Sequence, residues 1–160
     1  MSHSPESKGK CLYQWTHSLT YGRDMTALWA RAASITMGQP SKTVLIVDDS
    51  AAIRQELREE FTLHGYTVCA EAENGRQAIV QAQSHHPRLI ILDLSMPVMN
   101  GLDSAPLLRK ILPGTPIILY TAFADAVSTL DMRARGVTTI LAKSEPLASL
   151  IALADRLLPA

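Results

Sequence analysis

Short apolar runs that alternate with helical repeats constrain this chain most. Thr43–Val47, Arg88–Leu92 and Pro116–Tyr120 are each nearly continuous in β-branched and aliphatic residues. Runs of this kind suit strands buried on both faces, because a strand with one wet face would alternate apolar and polar residues. Tyr66–Glu71 and Val137–Leu141 read as two shorter, more mixed strands. Between them lie segments of helical period. Ala51–Leu63 carries Ile53, Leu57 and Phe61 and stops at Gly65. Asn74 can cap a helix containing Ala78, Ile79 and Ala82. Leu107, Leu108 and Ile111 mark a third helix, and Ala124–Arg135, with Val127 and Leu130, a fourth that ends at Gly136. Leu147–Leu158 is the last, with Leu150, Ile151, Ala154 and Leu157 inward. Five β–α units in succession predict an α/β fold: a doubly wound, five-stranded parallel sheet with five helices covering both faces.

In such sheets ligands bind beyond the carboxyl ends of the strands. The residues that follow the strands here are Asp48 and Asp49, then Asp93, Thr121 and Lys143. The fold therefore predicts three carboxylates, a hydroxyl and an ammonium at one edge. Two like charges about 4 Å apart repel by about 4 kcal/mol at an effective dielectric of 20. Such a cluster needs a cation or raised pKa values. An oxygen-only donor set without His or Cys suits Mg²⁺, which keeps several waters and leaves room for phosphate oxygens. A lysine and a hydroxyl beside it can orient and neutralise a phosphoryl group, and a carboxylate can itself be the nucleophile.

Composition narrows the alternatives. Apolar residues are 47% of the 160, which excludes a wholly disordered chain. No apolar stretch approaches the roughly 18 residues of a membrane span. The neutral total conceals an extension of net +2 over residues 1–40 and a remainder of net −2. Neither part has the clustered basic stripe that binding a phosphate backbone requires. Cys11 and Cys69 match no metal spacing and read as thiols of a reducing cytoplasm. His85 and His86 before Pro87 read as solvent-facing turn residues.

The strand-end motifs carry a resemblance. Val44-Leu-Ile-Val-Asp-Asp-Ser50, Ile91-Leu-Asp-Leu-Ser-Met-Pro-Val-Met-Asn-Gly-Leu102, Tyr120-Thr-Ala122, and Gly136 with Leu141-Ala-Lys143 together resemble the response-regulator receiver domain of two-component signalling. The likeness spans residues 43–158. It implies a flavodoxin-like sheet of order 2-1-3-4-5. It implies that Asp93 is the phosphoacceptor and Asp49 a direct ligand of Mg²⁺ (or Mn²⁺), with Asp48 positioning the ion through water. Ser95 would lend its backbone carbonyl to the metal. Thr121 would hydrogen-bond the phosphoryl group, Lys143 would pair with that group or with Asp93 beforehand, and Met96-Pro97 and Gly101 would shape the loop after the acceptor. The donor would be a sensor histidine kinase or a histidine phosphotransfer protein. Output would pass through protein contacts to an unknown downstream protein, with no direct nucleic-acid binding.

On this reading residues 42–160 are the receiver. Residues 1–41 are an extension, either disordered, a short docking helix near 24–36, or upstream of a true start at Met37. With so few residues after Leu158, the expectation is a stand-alone cytoplasmic receiver and not an enzyme beyond its own phosphorylation and dephosphorylation. Two alternatives remain: a degenerate receiver serving as a phosphorylation-independent scaffold, and an aspartyl-phosphate phosphatase. The adjacent Asp pair and short connections weigh against the second, and the absence of G-x-G-x-x-G after the first strand weighs against dinucleotide binding.

Three positions depart from the resemblance. Ile140 stands where an aromatic switch residue is usual, so Thr121 and its loop are expected to carry the response. Ser144 replaces the proline that usually follows the lysine, which predicts either a trans bond with a rearranged loop or a retained cis bond. Pro106 falls within the third helix. Because proline is tolerated only in the first turn, that helix is expected to start near residue 104, capped by Asp103 or Ser104. Pro146 is expected to start the final helix, near its first position.

Overall fold

The computed structural model describes residues 42–159. The extension expected over residues 1–41 lies outside the described residues. Five parallel strands, β1 (Thr43–Val47), β2 (Thr67–Ala72), β3 (Leu89–Leu92), β4 (Ile117–Thr121) and β5 (Thr139–Ala142), form one sheet in the order β2-β1-β3-β4-β5. The helices are α1 (Ala51–Leu63), α2 (Gly75–His85), α3 (Gly101–Ile111), α4 (Thr129–Ala134) and α5 (Leu147–Leu157).

Strand periodicity explains the two layers. Along β1, Val44 and Ile46 face one side and Leu45 and Val47 the other. Leu45, Val47, Ile90, Leu92, Ile117 and Leu119 pack with Ala78 and Ala82 of α2, Ala105 and Leu108 of α3, and Met132 of α4. Val44, Ile46, Leu89, Ile91 and Ile118 pack with Leu57 and Phe61 of α1 and with Leu150, Ile151 and Ala154 of α5. Every residue of β1, β3 and β4 is buried, each large aliphatic side chain contributing about 1.5–3 kcal/mol. This fixes the central strands and hence the edge where their carboxyl ends meet.

Helix ends follow local chemistry. Ser50, Asn74, Asn100 and Ser128 each accept a hydrogen bond from the amide three residues on, satisfying a donor that the first helical turn leaves free. α1 ends in a Schellman motif: Tyr66 N–H donates to Phe61 O, and Gly65 N–H to Thr62 O. Gly65 takes a φ of +79°, and the Phe61 and Tyr66 rings meet edge to face at 5.0 Å. α4 ends the same way at Gly136, φ +92°.

Two helix expectations are corrected. α3 starts at Gly101, not near residue 104, with Asn100 as its cap. Pro106 therefore sits in the second turn. The carbonyl it cannot serve, that of Leu102, instead receives Arg135 Nη1 at 3.5 Å. The segment 124–135 is not one helix. A 3₁₀ turn at Ala124–Ala126 precedes the six-residue α4, which is anchored by Met132 while Leu130 is exposed. Pro146 starts α5 as expected, standing at its N-cap.

Candidate functional site

β1 and β3 end side by side at the centre of the sheet, and their parallel register carries the next residues to the same edge. Asp48 N–H donates to Ala72 O, and Asp93 N–H donates to Val47 O at 2.8 Å, so ladder hydrogen bonds extend past both strand ends. Asp48 and Asp93 are buried, Asp49 is exposed, and carboxylate oxygens of all three lie within 4.8 Å of one another. Lys143, just after β5, reaches across: Nζ is 2.6 Å from Asp48 Oδ2 and 3.4 Å from Asp93 Oδ2. The ammonium thus lies closer to Asp48 than to Asp93, the partner expected from the sequence.

The remaining carboxylate oxygens are held by the backbone. Ser50 N–H donates to Asp48 Oδ1 at 2.9 Å, and Leu94 N–H to Asp93 Oδ1 at 2.8 Å. Burial raises the pKa of Asp93 from the ordinary aspartate value. Lys143 opposes that rise and the nearby Asp48 charge adds to it. A carboxylate whose charge is this poorly solvated gains from a cation or from covalent bonding to an electrophile. All donors in the cluster are hard oxygens, and the exposed Asp49 leaves a solvent side, so the residues present fit a hydrated divalent cation of the Mg²⁺ type.

Thr121 is fully buried at the end of β4. Its Oγ1 accepts Phe123 N–H at 3.2 Å, and its carbonyl accepts Lys143 N–H at 2.9 Å. Hydroxyl and lysine are therefore tied to each other through the main chain. Ser95 is exposed in the loop after β3. Ile140 is half-buried on β5, opposite Leu119 and packed against the core under α2–α4. The chain folds Asp48, Asp49, Asp93 and Lys143 into one cluster, sets Thr121 beside it, and leaves Ile140 within the sheet. His85 and His86 are exposed and apart from it.

The loop after Asp93 is held at Gly101, which the resemblance implied, and at Gly75, which the motif reading did not single out. Gly101 N–H donates to Leu94 O, and a Cβ on Gly101 would collide with the carbonyl oxygen of Asp93. Gly75 N–H donates to Met99 O at 2.8 Å, and a Cβ there would lie 2.6 Å from that of Ser104. Gly75 thus lets the start of α2 press on the loop. Its only signal in the sequence is a glycine directly after a capping Asn.

The family model of the response regulator receiver domain matches residues 44–155. Chemotaxis protein CheY of Thermotoga maritima is 35% identical over 102 residues, 64% of this chain and 85% of that protein. A protein-glutamate methylesterase/protein-glutamine glutaminase of Hahella chejuensis is 38% identical over 105 residues, but these make up only 30% of its length. The matched part is thus one portion of a longer enzyme. The crystal structure of Vibrio cholerae CheY4 superposes with a TM-score of 0.66 at 33% identity, covering 73% of this chain and 98% of that one. Strand order, the acidic edge and these matches agree, and the chain belongs to the response regulator receiver domain family.

Proposed function

We propose that residues 42–160 act as a receiver that takes a phosphoryl group onto Asp93 from a phosphohistidine donor and signals through protein contacts. The observation that carries this reading is the arrangement at Asp93. It is a buried carboxylate with Oδ1 held by Leu94 N–H, Oδ2 facing Lys143 at 3.4 Å, and two further carboxylates alongside. An Asp93 oxygen attacks phosphorus, an O–P bond forms, and the N–P bond of the donor breaks. The imidazole nitrogen keeps the electron pair and takes a proton from solvent. Asp48 and Asp49 would hold Mg²⁺ with Asp93 and the Ser95 carbonyl. The ion supplies charge neutralisation for the incoming phosphoryl oxygens.

The phosphoryl group carries about −1.5 to −2 charges, in place of the single charge of the Asp93 carboxylate. Lys143, now between Asp48 and Asp93, turns toward the new group. Thr121 exchanges its intraloop bond from Phe123 N–H for donation of its hydroxyl to a phosphoryl oxygen. The 123–128 segment moves with it, and Ile140, lacking a polar ring edge, contributes little. The partners are a histidine kinase or phosphotransfer protein and a downstream protein met at a surface biased by that segment.

Incubation with acetyl phosphate and Mg²⁺, read by intact mass, tests the proposal. The expected result is one added phosphoryl group, absent in Asp93→Asn. An unchanged mass in the parent protein would favour a phosphorylation-independent scaffold. Turnover of other phosphoesters would favour a phosphatase.

A further inference from the structure

Arg54 touches the site from behind. It lies on α1, and its guanidinium is largely shielded, the side chain being 12% exposed. Nη1 donates to the main-chain carbonyl of Asp48 at 2.7 Å. Its own backbone N–H donates to Ser50 O at 3.0 Å. Nε lies 3.4 Å from Glu71 Oε2, and Nη2 lies 3.3 Å from Glu73 Oε1. Arg58, one helical turn on, pairs with the other oxygen of Glu71. The turn bearing Asp48 and Asp49 is thus clamped to α1 and, through two glutamates, to the end of β2.

The clamp bears most directly on Asp49. Asp48 is held at its N–H, its carbonyl and both carboxylate oxygens. Among the described residues the Asp49 side chain makes no hydrogen bond or ion pair, so its direction depends on the peptide plane that precedes it. That plane contains the Asp48 carbonyl, the atom Arg54 grips. An exposed carboxylate on a loose peptide would lose orientational freedom each time it took a cation, whereas one on a fixed peptide loses less. The charges agree with this arrangement. A lone guanidinium here would repel a cation, but Arg54 and Arg58 face Glu71 and Glu73, and the group is neutral as a whole.

We infer that Arg54 is a positioning residue for divalent cation binding: it fixes the Asp48–Asp49 peptide, and Glu71 and Glu73 hold it in place and cancel its charge. This rests on reading the acidic cluster as a Mg²⁺ site. Groups that orient metal ligands are typically worth about 10–100-fold in metal affinity.

Mg²⁺ binding to the full, unphosphorylated chain, measured by titration calorimetry, decides the matter by its sign. If Arg54 acts only through its charge, Arg54→Met binds Mg²⁺ more tightly and Arg54→Lys as the parent does. If it positions the peptide, Arg54→Met weakens binding about tenfold or more. Arg54→Lys, which keeps the charge but cannot reach the carbonyl and both glutamates together, weakens it as well. Should Arg54→Met not fold, Arg54→Lys alone decides. Parent-like or tighter binding in either folded variant overturns the inference. A parent protein that does not bind Mg²⁺, or binding unaffected by Asp49→Asn, overturns the metal-site reading and this inference with it.

Discussion

Lys143 is the sole cation within 4 Å of Asp48 or Asp93 side-chain oxygens among the described residues, so its removal tests how the cluster is held together. At an effective dielectric of 20, a charge 2.6 Å away corresponds to about 6 kcal/mol and one at 3.4 Å to about 5 kcal/mol. Both are upper bounds, because Lys143 gave up hydration to enter. The net loss on deleting one partner of a buried pair is about 3–5 kcal/mol. Lys143→Met keeps the aliphatic stem and removes the charge, leaving Asp48 and Asp93 facing each other. Urea unfolding at pH 8 without divalent ions should show a loss of about 3 kcal/mol, a midpoint lower by more than about 1 M at slopes usual for a small domain. The loss should have a definite pH dependence. Asp93 already has a folded pKa above its unfolded value, chiefly through burial. The stability it contributes is therefore full below the unfolded pKa and is lost as pH rises through the folded one. Without Lys143 that folded pKa rises further, so the gap from the parent should widen with increasing pH and narrow toward pH 5. Mg²⁺ should restore more stability to the variant than to the parent. A variant within about 1 kcal/mol of the parent at pH 8, with no added pH dependence, would refute the reasoning, because it would mean that solvent already screens the pair as it does at an exposed surface.

Four further substitutions test the frame around the site. Gly101→Ala drives a methyl group into the Asp93 carbonyl oxygen. It should slow phosphorylation by acetyl phosphate by up to about 100-fold while the fold persists by circular dichroism, since small misplacements of a reacting group carry costs of that order. Gly65→Ala and Gly136→Ala both place an L residue at positive φ, at about 1–2 kcal/mol. Only Gly136→Ala also meets a side chain, Arg109 Cβ at 2.7 Å, so thermal unfolding should show it to be the worse of the two. Pro106→Ala returns an amide hydrogen to the second turn of α3 and should stabilise the protein by about 1 kcal/mol in denaturant unfolding. A loss would show that the ring's restriction of the unfolded chain outweighs the missing bond.

What could be read in the sequence depended on how far each signal reached along the chain. The buried strands were legible because Val44–Val47, Leu89–Leu92 and Ile117–Tyr120 satisfy one local condition, apolar side chains on both faces. Their carboxyl ends then place Asp48, Asp93 and Thr121 by topology, and the end of β5 places Lys143. The ends of α1 and α2 were legible because Gly65 and Asn74 act within a few residues. α3 was misjudged because the rule applied to Pro106 was local while the outcome was not. Asn100 caps three residues ahead of Asp103, Gly101 is the one residue type that fits beneath the Asp93 carbonyl, and Arg135, from beyond β4, answers the carbonyl that Pro106 leaves without a donor. The segment 124–135 failed in the same way: of the residues its apolar spacing suggested, Val127 packs at the edge of the core, but Leu130 is exposed and Met132 takes the buried position.

The same distinction explains why Arg54 escaped the motif reading while Lys143 did not. Lys143 follows a strand, so the sheet itself points it at the edge. Arg54 lies on α1, and its relation to the site runs through a main-chain carbonyl and two glutamates of another element. A faint trace did exist in the sequence. Arg54 and Arg58 are one helical turn apart, while Glu71 and Glu73 are two residues apart at the end of a strand, a pairing of periods that would let two cations on a helix face two anions on a neighbouring strand. Nothing local says that α1 and β2 are neighbours; only the strand order does. Residues that perform chemistry at a sheet edge are thus exposed by topology, whereas residues that hold those groups in place become visible once the elements are assembled. On this argument, substitutions at Arg54, Gly75 and Gly101 should alter cation binding or phosphorylation as strongly as some within the aspartate set, although none of the three contributes a side chain to the acidic cluster.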